Sequence, residues 1–222
     1  MTSTPPPALT LRQKLGYFLI SLMMNAVGNA LTVTMALGST MWTAASYNLS
    51  QYLSVQLSTI LLLNAFLGIA MNIYLDRKID WKFILGNFVF VLPFSYLVQY
   101  FVGLFSWLGL GQLPWLLRLV ADVLGIFLIS AAVSIYQRIN WIIHPLDEVV
   151  NTIRFRYFNG NPVLAQLALF SIPVTTMVVL FCLTGNLEAV NIGTIVVLFF
   201  QGAWIGWSDK HIFPGLPHYF RH

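Results

Sequence analysis

A chain of 222 residues that is 58% hydrophobic and 8% charged cannot coat a water-soluble domain of its size with polar groups. Its mean hydropathy of +0.78 suits a chain solvated by lipid, so the formal net charge of +4 reads as attraction to anionic headgroups and not to nucleic acid. The single cysteine, Cys182, sits in an apolar run and leaves no intramolecular disulfide to form.

Along the chain, Met1 to Thr10, with Pro5-Pro6-Pro7, reads as a disordered cytoplasmic tail. Arg12 and Lys14 then precede an apolar run, Leu15–Leu37, too long for a signal peptide and long enough to span. An uncharged mixed segment, Gly38–Ser50, separates it from a second span at Leu53–Leu75. A basic turn, Arg77, Lys78 and Lys82, leads into a third at Phe83–Phe105. Trp115–Tyr136 is the fourth. His144–Phe158 follows, where Pro145 with Asp147 and Glu148 close behind has the marks of a helix start. This segment and Gly38–Ser50 read as interfacial helices or as re-entrant elements. Val163–Leu183 and a shorter Asn191–Trp207 complete six predicted spans.

Ten of the eleven Lys and Arg fall in four clusters: Arg12/Lys14, Arg77/Lys78/Lys82, Arg138/Arg154/Arg156 and Lys210/Arg221. The alternate loops, Gly38–Tyr52, Ser106–Pro114 and Thr184–Val190, hold none. The positive-inside rule therefore places both termini and all four clusters in the cytoplasm. Trp81, Trp107, Trp115, Trp141 and Trp207 fall at the predicted interfaces. The predicted organisation is a cytoplasmic tail at 1–14, one membrane domain at 15–208 and a cytoplasmic tail at 209–222.

A weak internal similarity relates Ala36–Phe101 to Ile143–Ser208. Three spans per unit is an odd number, so the second unit enters the bilayer upside down. The expected fold is an all-α, polytopic helical bundle with inverted halves at about 15–105 and 115–208, an arrangement that places solute sites near the midplane.

Polar residues inside the spans are the site candidates. Arg118 and Asp122 lie four apart on one face of the fourth span. They read either as a charged solute path or as a self-paired couple snorkelling to the interface. Asn25 and Asn29 repeat that spacing in the first span, and Asn64, Gln99 and Gln201 add amides in others. These are interhelical glue or the lining of a polar pocket. Trp42, Asp147 and Glu148 are gating candidates in the two short segments. Gly202-x-x-x-Gly206 and Ala26-x-x-x-Ala30 allow close helix approach. No His/Cys/carboxylate set has metal-ligand spacing, no phosphate-binding Gly-rich loop is present, and no nucleophile has a base beside it. No metal, cofactor or enzymatic activity is expected.

Three stretches carry a family resemblance: Leu37-Gly38-Ser39-Thr40-Met41-Trp42-Thr43, His144-Pro145-Leu146-Asp147, and Ile192-Gly193-Thr194-Ile195 with Gly202-Ala203-Trp204-Ile205-Gly206. The chain resembles the YczE/YyaS/YitT group of small bacterial integral membrane proteins, with Met41 and Thr43 standing where that pattern has Pro and Asp. The resemblance implies a multi-pass protein of the bacterial plasma membrane, often described as permease-like. The expected function is a small-solute permease or exporter. The alternatives are a substrate-binding membrane subunit of an ATP-driven importer and a non-transporting assembly or sensor partner. The expected partners are the lipid bilayer, an unknown small solute, and a second copy or other membrane subunits.

Overall fold

The computed structural model describes residues 9–159, 161–188, 191–217 and 219. The proline-rich N-terminal stretch and Arg221 lie outside them. Eight helices follow one another: α1 (Leu11–Met35), α2 (Met41–Leu53), α3 (Leu57–Asp76), α4 (Trp81–Trp107), α5 (Trp115–Ile139), α6 (Pro145–Tyr157), α7 (Pro162–Thr184) and α8 (Ile192–His211). No strand occurs among the described residues. The order is long, short, long, long, and then the same again. Each half therefore holds four helices, not the three spans read from hydropathy, because a 13-residue helix stands inside each.

Five helices are long and apolar enough to cross a membrane: α1, α3, α4 from Ile84, α5, and α7 from Leu164. Each matches a predicted span, and α8 covers the sixth. The protein is a multi-pass membrane protein. Exposed apolar side chains such as Leu63, Phe66, Tyr96, Val120 and Val178 face outward, where only lipid solvates them at no cost.

Local chemistry sets the ends. Thr10 and Gln13 form a reciprocal capping box: the Gln13 N–H donates to Thr10 Oγ1 at 3.3 Å and the Thr10 N–H to Gln13 Oε1 at 3.0 Å. Ala36, Ser54, Arg77 and Asn140 end α1, α2, α3 and α5 in the left-handed region.

The centre is the crossing of α1 and α5, where a Cβ on Gly28 would meet the Gly125 carbonyl oxygen at 2.6 Å. Bare backbone touches there, as it does wherever small residues bring membrane helices together. Ala26 and Ala30, on a different face of α1, are also fully buried. By contrast, nothing among the described residues lies within 4 Å of a Cβ on Gly202 or Gly206, so that predicted packing pair meets no described neighbour. The two crossing helices are antiparallel. Phe18 near the start of α1 packs on Trp141 just past α5, with ring centroids 6.2 Å apart. At the other end, Arg118 near the start of α5 reaches the Met35 carbonyl in the last turn of α1.

Most of the outer contacts are paired between the two halves of the chain, but the packing of α3 on α4 has no counterpart between α7 and α8 among the described residues. Helix α1 packs on α4 and α5 on α8, while α2 packs on α3 and α6 on α7. Across the halves, α2 packs on α7 and α3 on α6.

The basic clusters gather at one end. Tyr17 packs on Phe213 with centroids 5.2 Å apart, Gly86 of α4 lies against Ile142, and Arg156 bonds the Leu75 carbonyl and pairs with Asp76 at 3.4 Å. Arg138, expected in an exposed loop, is instead 1% exposed. It pairs with Asp209 and donates to the carbonyls of Ile212, Phe213 and Leu216, closing the end of α8 as a buried arginine must if its charge is to be compensated. The chain after α8 is therefore no free tail up to Leu216, and Tyr219 N–H donates to the Arg138 carbonyl.

Candidate functional site

A cavity of about 160 Å³ lies in the middle of the bundle, and all eight helices or their caps contribute to its wall. From α1 come Asn25 and Asn29, from α3 Leu61 and Asn64, from α4 Phe94. Helix α5 gives Tyr136 and Gln137, α7 gives Gln166 and Phe170, and α8 gives Gln201 and Ile205. The first turns of both short helices open onto it: Thr40 to Thr43 and Ser46 for α2, His144, Leu146 and Asp147 for α6. From there the two helices run to opposite ends. Asn48 of α2 exchanges hydrogen bonds with the backbone of Glu188 at the end away from the basic clusters, and Arg156 of α6 reaches α3 at the basic end.

The amides of α1 and α3 pin α2 in place. Asn29 Nδ2 donates to Asn25 Oδ1 at 2.7 Å, and Asn29 Oδ1 accepts from Thr43 Oγ1 at 2.6 Å and from Thr40 Oγ1 at 3.3 Å. Asn64 Nδ2 donates to Ser46 Oγ at 2.7 Å, and that hydroxyl donates to the Trp42 carbonyl. Glue and lining are thus the same residues. Three glutamines differ. Gln137, Gln166 and Gln201 have no hydrogen-bond partner among the described residues, so their amides are free to meet a solute.

The start of α6 is held from α5. Tyr136 Oη donates to Asp147 Oδ2 at 2.5 Å. Burial holds the Asp147 carboxyl up at about 6, with the tyrosine hydroxyl pulling the other way, and burial lowers His144 to about 4. His144 is then a neutral cap whose Nδ1 accepts from the Leu146 N–H at 3.4 Å.

Of the sequence candidates, Asn25, Asn29, Asn64, Gln201, Trp42 and Asp147 come together on this one cavity, whereas Arg118, Asp122 and Glu148 lie outside its wall. Arg118 and Asp122 do not form the ion pair that their spacing suggested. The guanidinium turns away to the open carbonyl of Met35, donating from Nε at 2.9 Å. Asp122 is fully buried beneath the start of α8, where a Cβ on Gly193 would sit 2.5 Å from Oδ2. Glu148 borders a separate cleft near Asp76, Lys78 and Arg156. Gln99 caps α3 by accepting from the Ser58 N–H at 3.2 Å. Sequence reading passed over Gln137, Gln166, Tyr136 and Ser46. The first of these stands two residues from the end of α5, where a polar residue reads as interfacial. No group of three or more His, Cys, Asp or Glu that could hold a metal occurs among the described residues.

The model of a family of unknown function, DUF6198, matches residues 12–210, and the chain belongs to that family. The match does not tie it to the YczE/YyaS/YitT group. No curated protein and no solved structure matches.

Proposed function

We propose that the chain is a membrane carrier for a small polar solute, built from two inverted four-helix halves that expose the central cavity to either side in turn. The observation that carries this reading is an amide-lined cavity to which every helix contributes, with the first turns of α2 and α6 on its wall. Supporting the inversion are the same order of long and short helices in each half, the antiparallel crossing of α1 and α5, and the paired contacts α1–α4 with α5–α8, α2–α3 with α6–α7, and α2–α7 with α3–α6. Broken helices that start at a midplane site between such halves are a recurring transporter design, because their free N–H groups replace water around a solute. In this reading α8 is the sixth span, the membrane is the bacterial plasma membrane, and the end carrying the basic clusters and both termini faces the cytoplasm.

The test uses accessibility and needs no known solute. In a Cys182→Ser background, Gln166→Cys and Gln201→Cys are labelled with a membrane-impermeant thiosulfonate in right-side-out and inside-out vesicles. A carrier gives reaction from both sides. Labelling from one side only at both positions would reject alternating access.

A further inference from the structure

Resting on the carrier reading, we propose that the solute is a small zwitterion of about six to ten non-hydrogen atoms, since a cavity of about 150 Å³ accommodates benzene. Its carboxylate lies at the start of α2 and its ammonium at Asp147.

The two poles of the cavity differ in sign. Helix α2 has no acidic residue in its first turn and no side chain capping it. Its first residues, Thr40 to Thr43, at the positive end of the helix dipole, line the cavity. Two further donors on residues lining this pole have no partner among the described residues. Asn25 is 6% exposed and accepts from Asn29, but its own amide nitrogen has no bond, and the Trp42 Nε1–H is buried with none. The Thr40 and Thr43 hydroxyls are already spent on Asn29. This is a set of donors without an acceptor, which suits a carboxylate.

At the other pole stands Asp147, among the described residues the only carboxylate on the cavity wall, with no described Lys or Arg lining the wall beside it. Tyr136 occupies Oδ2 and leaves Oδ1 without a partner among the described residues. An anion of net charge would meet this carboxylate uncompensated, and a polyol would leave it unpaired, which a desolvated site penalises. A zwitterion answers both poles at once, with Gln137, Gln166 and Gln201 left to bond its remaining polar atoms. A primary ammonium would donate to Oδ1, whereas a quaternary one would lie against the faces of Trp42 and Tyr136.

The purified full-length protein is titrated at pH 7.5 with L-alanine, glycine betaine, butyrate, butylamine and erythritol, following heat of binding and melting temperature. The expected result is that alanine or betaine binds and raises the melting temperature while the other three do not. Asp147→Asn and Tyr136→Phe should each weaken that binding, the first by at least tenfold, and Asp122→Asn should leave it as in the wild type. Tyr136→Phe keeps the test alive if Asp147→Asn fails to fold. Binding of erythritol, butyrate or butylamine in place of the zwitterions overturns the inference, as does the absence of binding by either zwitterion. A zwitterion that binds but does not enter proteoliposomes upholds the inference and sinks the carrier reading.

Discussion

The first turns of α2 and α6 occupy equivalent places, one in each half, yet they carry opposite chemistry. Helix α6 begins His144-Pro145-Leu146-Asp147, with an imidazole cap, proline at the first helical position and acids behind it. Helix α2 begins Thr40-Met41-Trp42-Thr43, uncapped and without charge. Three residues into each helix, Thr43 stands where α6 has Asp147, and the first is tied to Asn29 as the second is to Tyr136. In the proposed inverted arrangement, repetition fixes where the two helix starts lie. On the zwitterion proposal, the difference between Thr43 and Asp147 decides whether each start presents a positive or a negative face to the cavity.

The two starts also differ in how they are buttressed, which gives the largest expected effect. Gly38, just before α2, has φ 141° and lies so close to α8 that a Cβ would fall 2.1 Å from the Thr194 nitrogen. Backbone cannot yield there, so Gly38→Ala should cost at least about 3 kcal/mol and abolish a monodisperse protein in size-exclusion chromatography. Gly68, the residue of α3 against which α6 starts, would place its Cβ 3.1 Å from a Leu146 side-chain carbon and from the Leu146 nitrogen. Gly68→Ala should cost about 1 kcal/mol, because part of that contact can relax. Equal losses on heating would show that the two starts are braced alike.

Erasing the chemical difference comes next. Thr43→Asp gives α2 the carboxylate of α6 and places a second negative charge on the cavity. Zwitterion binding should weaken at least tenfold, measured by calorimetry, while butylamine binding emerges. Unchanged selectivity would mean that the sign of the α2 start does not matter.

The mildest perturbation is pH. Asp147 is held up at about 6, so an ammonium loses its partner as pH falls through that value and affinity should drop several-fold between pH 7.5 and 5.5. Stability behaves differently. Folding raises Asp147 from 3.8, so the folded state holds the extra proton between those values and gains stability as pH falls. Folding lowers His144 from 6.5 to about 4, so over nearly the same window the folded state holds fewer protons and loses stability. The slopes oppose, and the melting temperature of the solute-free protein should stay nearly level from pH 6 to 4.5 while affinity falls. A steep loss in both would point to unfolding as the cause.

Hydropathy alone located the long helices, because a run of apolar residues in lipid has no other stable state. The amides that converge on the cavity were legible for a related reason: Asn25, Asn29, Asn64 and Gln201 are costly inside a span unless something meets them. Illegible were the partners. The spacing of Arg118 and Asp122 fits an ion pair, yet the arginine goes to Met35, a backbone oxygen freed by the end of a different helix. The same blindness hid Arg138, whose partners are carbonyls more than seventy residues away. Acceptors on a helix end leave no mark in residue type, so a cation that seeks one looks like any loop residue.

Gly28 and Gly125 touch with no side chain between them. Interlocked side chains resist sliding, because each knob must leave its hole before it can enter the next. In the carrier reading, the close approach of Gly28 and Gly125 is the place where one half would turn against the other. A methyl group at either glycine would fall 2.6 or 2.9 Å from the other's carbonyl oxygen and force the two helices apart.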